Sequence, residues 1–552
     1  MKRSFILFLL FQFACSIMLL AQTSPNTYFV QFKNKAHSSF SLQNPQAYLS
    51  HKAIERRLNQ GLGFDSLDLP VNQNYIQQVL AIGNAQLLLR SKWFNSITVE
   101  LIDTSLADEW KANVLNLECV LQVKSLPEIP WVNIRSGRQG EEIVDGINYG
   151  ESVTQIKQLN GQFLHEMGFQ GEGMDVAVFD AGYIRANQLP AMQKLFQEGR
   201  VIETHDFLRF NDPNVYIDAN HGTFVLSHMA GIIPDSLYGT AVNANYYLFK
   251  TEDVSQEVRL EEDTWIQAAE WADSIGIDVI NSSLGYSVFD YESMSYQPAD
   301  MNGQTTRISQ AAEICVQKGT LVVNSAGNNG DDPFWRVITA PSDAKDVLCV
   351  GAVDANGVHA SFSGYRPPGI DYVKPNIVAM GKQTVFAALD STISRGNGTS
   401  FSSPIIAGLS ACLWQAFPSA TNFEIKDAIE RSASCYSNPN DSMGYGIPDF
   451  WKAFLILSEE KYSQPSDHSV LVFPQPSADS FQVRIADYPP AGSNYFWLYN
   501  AAGQQLWDYE WTYSAEGNWG VFNLNLGKLP SGRYYFVAEN KNGKKAIPLQ
   551  KK

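Results

Sequence analysis

A serine hydroxyl is a weak nucleophile until a neighbouring base takes its proton, and the base needs a third group to orient it. The stretch "GNGTSFSSPIIAG", Gly396 to Gly408, sets Ser400 behind glycines and ahead of an apolar run. His221, in "NHGTFVLSHMAG", is the candidate base. Asp180 closes the apolar run "VAVFD" and is followed by Ala-Gly, so it is placed to point out of a sheet edge. There it would hold the imidazole in one tautomer and stabilise the imidazolium. Asn328, in "SAGNNG", offers a side-chain N–H₂ that suits an oxyanion donor. Taken singly these signals are ordinary: a lone His-Gly is usually a turn and a lone Gly-Thr-Ser usually a cap. Together they describe acyl transfer to a serine.

The elements that must position these residues alternate along about Ser152 to Ser458. "MDVAVFD" ends at Asp180 and "ANYYLFK" at Lys250; "IDVINSSLG" passes through Asn281 and "TLVVNSAGNNG" through Asn328. These runs are apolar on both faces, as buried parallel strands are. Between them, "EEDTWIQAAEWADSIG" and "TTRISQAAEICVQKG" have helical spacing. Such alternation predicts an α/β domain with a parallel sheet, whose ligands sit beyond the carboxyl ends of the strands. Asp180, Ser283 and Asn328 all fall at such ends. Ser400 falls near the N-terminus of the helix "PIIAGLSACLWQAF", where the dipole favours negative charge.

Two further regions flank this one. From about Tyr28 to Ile129, "TYFVQFK" and "NSITVELID" read as strands and "AYLSHKAIERRLNQ" as a helix, ahead of a Gly-rich, charged connection. From Val470 to Lys552, short strands with turns predict a small β-sandwich, joined by "KYSQPSDHS".

The chain has 552 residues, a net charge of −17 and 45% hydrophobic residues. Those values fit folded domains and set nucleic acid aside as a partner, since its binders are basic. Lys2 and Arg3 precede an apolar run from Phe5 to Leu20 that ends at Ala21, the pattern of a signal peptide. Of six cysteines, Cys15 would leave with that leader. Cys119, Cys315, Cys349, Cys412 and Cys435 are widely spaced, with no metal pattern. They read as free thiols, with a Cys412–Cys435 bridge left open. Asp206, Asp212 and Asp218 in "HDFLRFNDPNVYID" have oxygen ligands that suit calcium, the one cofactor left open; a solvated acidic loop is preferred. His205, His228 and His359 read as ordinary surface or packed histidines.

In the order Asp, His, Asn, Ser, the pieces "VAVFDAG", "HGTFV…MAG", "INSSLG", "SAGNNG" and "GTSFSSP" closely resemble the subtilisin family of serine peptidases, over roughly Tyr149 to Phe454. The Asp–His–Ser order is that family's. The resemblance implies a subtilisin-like parallel sheet flanked by helices, preceded by a small α+β propeptide and followed by an all-β sandwich. It implies Asp180 as orienter, His221 as base and then acid, Ser400 as nucleophile and Asn328 as oxyanion donor. It also implies that Ser283, Leu284 and Gly285, with Ser325, Ala326 and Gly327, bind the substrate backbone and wall the pocket beside the scissile bond. Phe224 stands where many members carry a second histidine, and Phe401 where many carry methionine. The expected organisation is a signal peptide at 1–21, an inhibitory propeptide at 22–146, a catalytic domain at 147–460, a linker at 461–469 and a C-terminal domain at 470–552. That last domain resembles the sorting domain of the type IX secretion system, in "VFPQPSADSFQVRI", "WLYNAAGQQLW" and "LPSGRYYFVAENKNGKKAIPLQKK". The expected partners are protein or peptide substrates, the propeptide as intramolecular inhibitor and an outer-membrane secretion machinery. The expected location is secreted, after export to the periplasm. A binding module is the alternative for the tail, with Trp497, Trp507, Trp511 and Trp519 as an aromatic platform. A binding protein on a peptidase fold would have lost one of the three residues, and none is lost. An esterase would favour a G-x-S-x-G elbow and another order.

Overall fold

The computed structural model describes residues 26–126 and 147–462, apart from 37, 167, 210 and 211. It further describes 470–473, 479–486, 495–506, 510–516, 519–540 and 543–551. The expected leader, most of the expected linker, Trp507 and the side chains of Trp511 and Trp519 lie outside the described residues.

The N-terminal unit is an antiparallel sheet of β1 (Thr27–Phe32), β2 (Ala85–Ser91), β3 (Ser96–Leu101) and β4 (Val120–Leu126), in the order β2-β3-β1-β4. Helices α1 (His51–Asn59), α2 (Gln73–Leu80) and α3 (Ala107–Leu115) accompany it. The alternation in "TYFVQF" sends Tyr28, Val30 and Phe32 into one core with Trp110 and Val114. Helix α1 starts later than "AYLSHKAIERRLNQ" suggests, because the Ser50 side chain accepts from Ala53 N and caps the helix there.

The central unit is a seven-stranded, wholly parallel sheet. Its strands are β5 (Asp175–Asp180), β6 (Val201–Asp206), β7 (Asn245–Lys250), β8 (Val279–Ser282), β9 (Leu321–Ser325), β10 (Leu348–Val353) and β11 (Ile377–Met380). They lie in the order β11-β10-β9-β8-β5-β7-β6. Successive side chains of β5 serve opposite faces. Val176 and Val178 join one core with helices α4 (His221–Ala230) and α7 (Thr399–Ala416). Ala177 and Phe179 join the other with α5 (Leu260–Ile275) and α6 (Arg307–Gln317). A strand covered on both faces must be apolar throughout, which is why the runs read so clearly in the sequence. After α8 (Asn422–Ser432), helix α9 (Phe450–Tyr462) closes the unit.

The C-terminal region forms two four-stranded antiparallel sheets that share a core of Phe481, Val483, Leu498, Phe522 and Phe536. It is not an independent body on a free tether. Trp451 of α9 packs against Tyr499, with ring centroids 5.1 Å apart, and against Tyr535 at 6.2 Å. Tyr499, Tyr535, Val537 and Ala546 thereby continue the core of the central unit.

The N-terminal unit docks on α5 through buried charge. Asp273 is fully buried and receives Arg57 Nη2 at 2.6 and 2.8 Å, Arg56 Nη2 at 2.9 Å and Lys92 Nζ at 2.9 Å. Arg57 also pairs with Asp68, which Lys318 approaches at 3.2 Å. Burial alone would raise the Asp273 carboxyl, but Lys92, Arg57 and Arg56 outweigh it and hold it well below the usual range. Glu270, one turn earlier on α5, accepts the backbone N–H groups of Lys92 and Trp93 at 2.7 and 3.0 Å. Removing one partner of a buried ion pair strands the others. Asp273→Asn in the full chain should therefore cost about 3–5 kcal/mol of unfolding free energy. A lowered urea midpoint, read by tryptophan fluorescence, checks this; an unchanged midpoint means water already compensates the cluster.

Candidate active site

The carboxyl edge of the parallel sheet gathers the residues singled out by type and spacing. Asp180 is the last residue of β5 and is fully buried. His221 is the first residue of α4, and its Nδ1 lies 2.9 and 3.0 Å from the two Asp180 carboxylate oxygens. The carboxylate also accepts Ala181 N at 2.8 Å. This approach requires Gly222. A Cβ there would meet Gly182 O at 2.6 Å, Tyr183 at 2.8 Å and Asp180 Cβ at 2.9 Å. Burial disfavours the imidazolium, but the charge and hydrogen bond of Asp180 outweigh it, with Glu252 adding; His221 stands above its ordinary value.

Ser400 is the second residue of α7. Pro404, one turn on, has no N–H to give the Ser400 carbonyl. The freed carbonyl instead accepts Ser283 Oγ at 3.0 Å. Ser400 Oγ donates in return to the Ser283 carbonyl at 3.2 Å. In this state the hydroxyl donates to the Ser283 carbonyl, and its proton must be redirected before a base can take it. Resting sites commonly hold such bonds loosely.

Asn328 lies three residues beyond the end of β9. Its Oδ1 accepts Thr399 N at 2.8 Å and Thr399 Oγ1 at 3.0 Å. A backbone N–H can only donate, so the amide orientation is fixed and Nδ2 faces outward. Asn328 Nδ2 and Ser400 N lie equally far, 3.7 Å, from the point where a Gly398 Cβ would stand. Asn328 Oδ1 lies 3.9 Å from the same point, so both ends of the amide border it. Ser400 N is among the first-turn donors that a helix leaves free, and a free N–H of that kind suits a developing oxyanion.

The other expected residues sort cleanly. Ser283, Leu284 and Gly285 follow β8, and Ser325, Ala326 and Gly327 end β9 or follow it, on neighbouring strands. Phe401 and Phe224 are joined by Phe386, at 5.2 and 4.6 Å, and Phe401 stacks on His228 at 5.0 Å. The two departures from the family pattern thus form one aromatic cluster behind His221. His228 is buried in it, and burial pushes it down to about 4. His205 stacks on Phe207 at 4.1 Å and His359 is half-buried.

The acidic loop differs from the solvated one expected. Asp206 is fully buried, and Lys250 Nζ lies 3.2 Å from both Asp206 and Asp218. Arg209 adds a contact of 2.7 Å to Asp218, while Asp212 turns to accept Asn214 N. Among the described residues no cluster could hold a metal ion. Cys412 and Cys435 are both free thiols; Cys412 donates to Thr240 O.

Two residues near the site carried no signal in the sequence. Glu252 follows Thr251, whose N–H donates to Asp180 O, and is near enough for its charge to act on Asp180 and His221. Burial and Asp180 push its carboxyl up to about 7. Thr339 sits between the segments after β8 and β9. Both lie in loops that no motif marks.

The subtilase family model matches residues 171–446, half of the chain, and a Bacteroidota peptidase S8 propeptide model matches 27–141. The chain belongs to the subtilase family of serine peptidases. It is 26% identical to subtilisin NAT of Bacillus subtilis subsp. natto, over 59% of this chain and 76% of that one. It is 27% identical to the subtilisin-like protease SBT6.1 of Arabidopsis thaliana over 55% of this chain, but spans only 28% of that relative's length. Among solved structures it is similar to the MycP3 protease from the type VII (ESX-3) secretion system. That match has 23% identity and a TM-score of 0.43, over 57% of this chain and 91% of that one. In this subtilase, the N-terminal unit docked on α5 is the propeptide domain.

A general base must be neutral to act, so if His221 is that base, activity should rise as pH climbs through its pKa. Asp180→Asn removes the group that raises this pKa. The acid limb of kcat/KM should move to lower pH, while kcat falls by about 10⁴ as the imidazole loses its tautomer. A pH–rate profile of the variant checks both; a limb that stays put would mean Asp180 does not set the charge of His221.

Proposed function

We propose that this subtilase is an exported endopeptidase that cleaves protein substrates through an acyl-enzyme on Ser400. The observation that carries the reading is convergence. Buried Asp180 holds His221 by a hydrogen bond, and Ser400 stands at the N-terminus of α7 with Asn328 tied to the adjoining Thr399. Ser400 Oγ attacks the scissile carbonyl carbon and His221 Nε2 takes the hydroxyl proton. Asn328 Nδ2 and Ser400 N stabilise the oxyanion. The imidazolium then gives its proton to the leaving amine, and water hydrolyses the ester by the same route. Ser283–Gly285 and Ser325–Gly327 hold the substrate backbone.

The propeptide domain acts as intramolecular inhibitor until it is cut away, a role its buried ion pairs on α5 support. Residues 1–21 direct export, and 470–552 act as a sorting domain that delivers the enzyme to the cell surface or medium. The half-buried Trp497 packs against the core of the central unit, which weighs against its forming an open platform for a polysaccharide.

Ser400→Ala should abolish peptide hydrolysis and fluorophosphonate labelling; wild-type turnover in that variant would sink the assignment. Asn328→Ala should lower kcat by about 10²–10³ with little change in KM, the handicap of a lost oxyanion donor. A raised KM at constant kcat would instead mean that Asn328 only binds substrate. Deleting Gln464 to Lys552 should leave peptide hydrolysis intact but strand the protein inside the host cell. Normal extracellular levels of the truncated protein would refute the sorting role.

A further inference from the structure

Strand β8 lies at the centre of the parallel sheet, between β5 and β9, and reads Val279-Ile280-Asn281-Ser282. Val279 joins the core on the α7 face and Ile280 the core on the α5 face, so the alternation of a strand turns Asn281 towards α7. Asn281 has no exposed surface, and its partners in register are Val178 of β5 and Val323 of β9. An amide in such a place costs free energy unless its polar ends are hydrogen-bonded, a demand that an apolar residue would not make. Both ends are used, and both serve the turn that carries Ser400.

The directions of these bonds are forced one after another. The Ser400 carbonyl can only accept, so the single proton of Ser283 Oγ is committed to it, at 3.0 Å. Ser283 Oγ must then accept at its other contact, where Asn281 Nδ2 donates at 3.1 Å. That puts Asn281 Oδ1 at the opposite end, where Ser403 Oγ donates to it at 2.8 Å. Ser403 directly precedes Pro404, whose missing N–H leaves the Ser400 carbonyl without a helical partner. Asn281 thus closes a ring through Ser283, Ser400 and Ser403 around the weakened first turn of α7. Ser283 also meets Ser400 a second time, since its carbonyl accepts Ser400 Oγ at 3.2 Å. The placement of Ser283 therefore governs the hydroxyl of Ser400 as well as its backbone.

We propose that Asn281 is a positioning residue for the reaction: it holds the Ser283 hydroxyl in the one orientation that ties down Ser400, and so fixes where the nucleophile stands. The inference rests on the proposed role of Ser400. Without the amide, Ser283 Oγ loses the donor that occupies its lone pair and is free to turn away from the Ser400 carbonyl.

The test uses the enzyme processed from the full chain, with kcat referred to the fraction of sites that a fluorophosphonate labels at end point. Asn281→Leu, of similar volume, should lower kcat by about 10-fold or more at nearly constant KM, the scale of a hydrogen bond lost from a buried network. The rate of fluorophosphonate labelling should fall by a similar factor, since it reads Ser400 without a peptide. Ser283→Ala keeps the carbonyl and removes the hydroxyl, and should lose as much. The double variant should lose little more than either single one, because both break the same chain of bonds. A lowered urea midpoint or labelled fraction, with kcat per labelled site at the wild-type value, would make Asn281 merely structural and overturns the proposal. Additive losses in the double variant overturn it too, because Asn281 would then not act through Ser283. If Asn281→Leu does not fold, Ser403→Ala takes its place. It removes only the bond to Oδ1, so kcat per labelled site should fall by about 3-fold and couple to Ser283→Ala; an unchanged kcat or additive losses overturn the proposal equally. Full activity in Ser400→Ala would be a different failure: it refutes the nucleophile assignment, and the positioning role falls with it.

Discussion

Asp180 is a carboxylate with no exposed surface at the centre of a protein, and such a charge persists only if the fold supplies partners for it. Here those partners are an imidazole and a backbone N–H, delivered by the turn that follows β5 and by the first residue of α4. Much of the site can be traced to that requirement. Gly222 exists so that α4 can come close enough, and β7 pairs in register with β5 so that Thr251 closes over Asp180. The same register carries Lys250 beside Asp206 and Asp218, where it neutralises a second buried carboxylate.

Helix α7 answers the complementary need. Its N-terminus offers free N–H groups where negative charge will develop, and Pro404 frees a carbonyl that ties Ser400 to Ser283. Ser400 is thereby fastened to the segment after β8, Asn328 to α7 through Thr399, and His221 to β5. Three elements far apart in sequence are cross-braced by hydrogen bonds. The opposite side of the sheet carries the propeptide domain: α5 presents Asp273 and Glu270 to it.

The C-terminal sheets join the central unit by packing, through Trp451, Tyr499 and Tyr535, rather than by a bare tether. An aromatic contact of that size has to be released or preserved in any removal of the tail, which ties the fate of the domain to the stability of α9.

The sequence by itself determined the parallel sheet and singled out Asp180, His221, Asn328 and Ser400 as candidates for the chemistry. Strands buried on both faces must be apolar throughout, and a strand-end aspartate, a helix-leading histidine and a serine behind glycines are local patterns that survive in one dimension. Only the tertiary structure decided which groups meet. That Lys250 rather than solvent satisfies Asp206, that the charge of Glu252 acts on His221, that Phe224 and Phe401 share a cluster through Phe386, and that Thr339 fills the gap between Gly285 and Gly327 are all pairings across crossovers. A sequence pattern records the period of an element and the chemistry of its ends. The distance between two loops is set by how whole layers pack, and no local spacing encodes it.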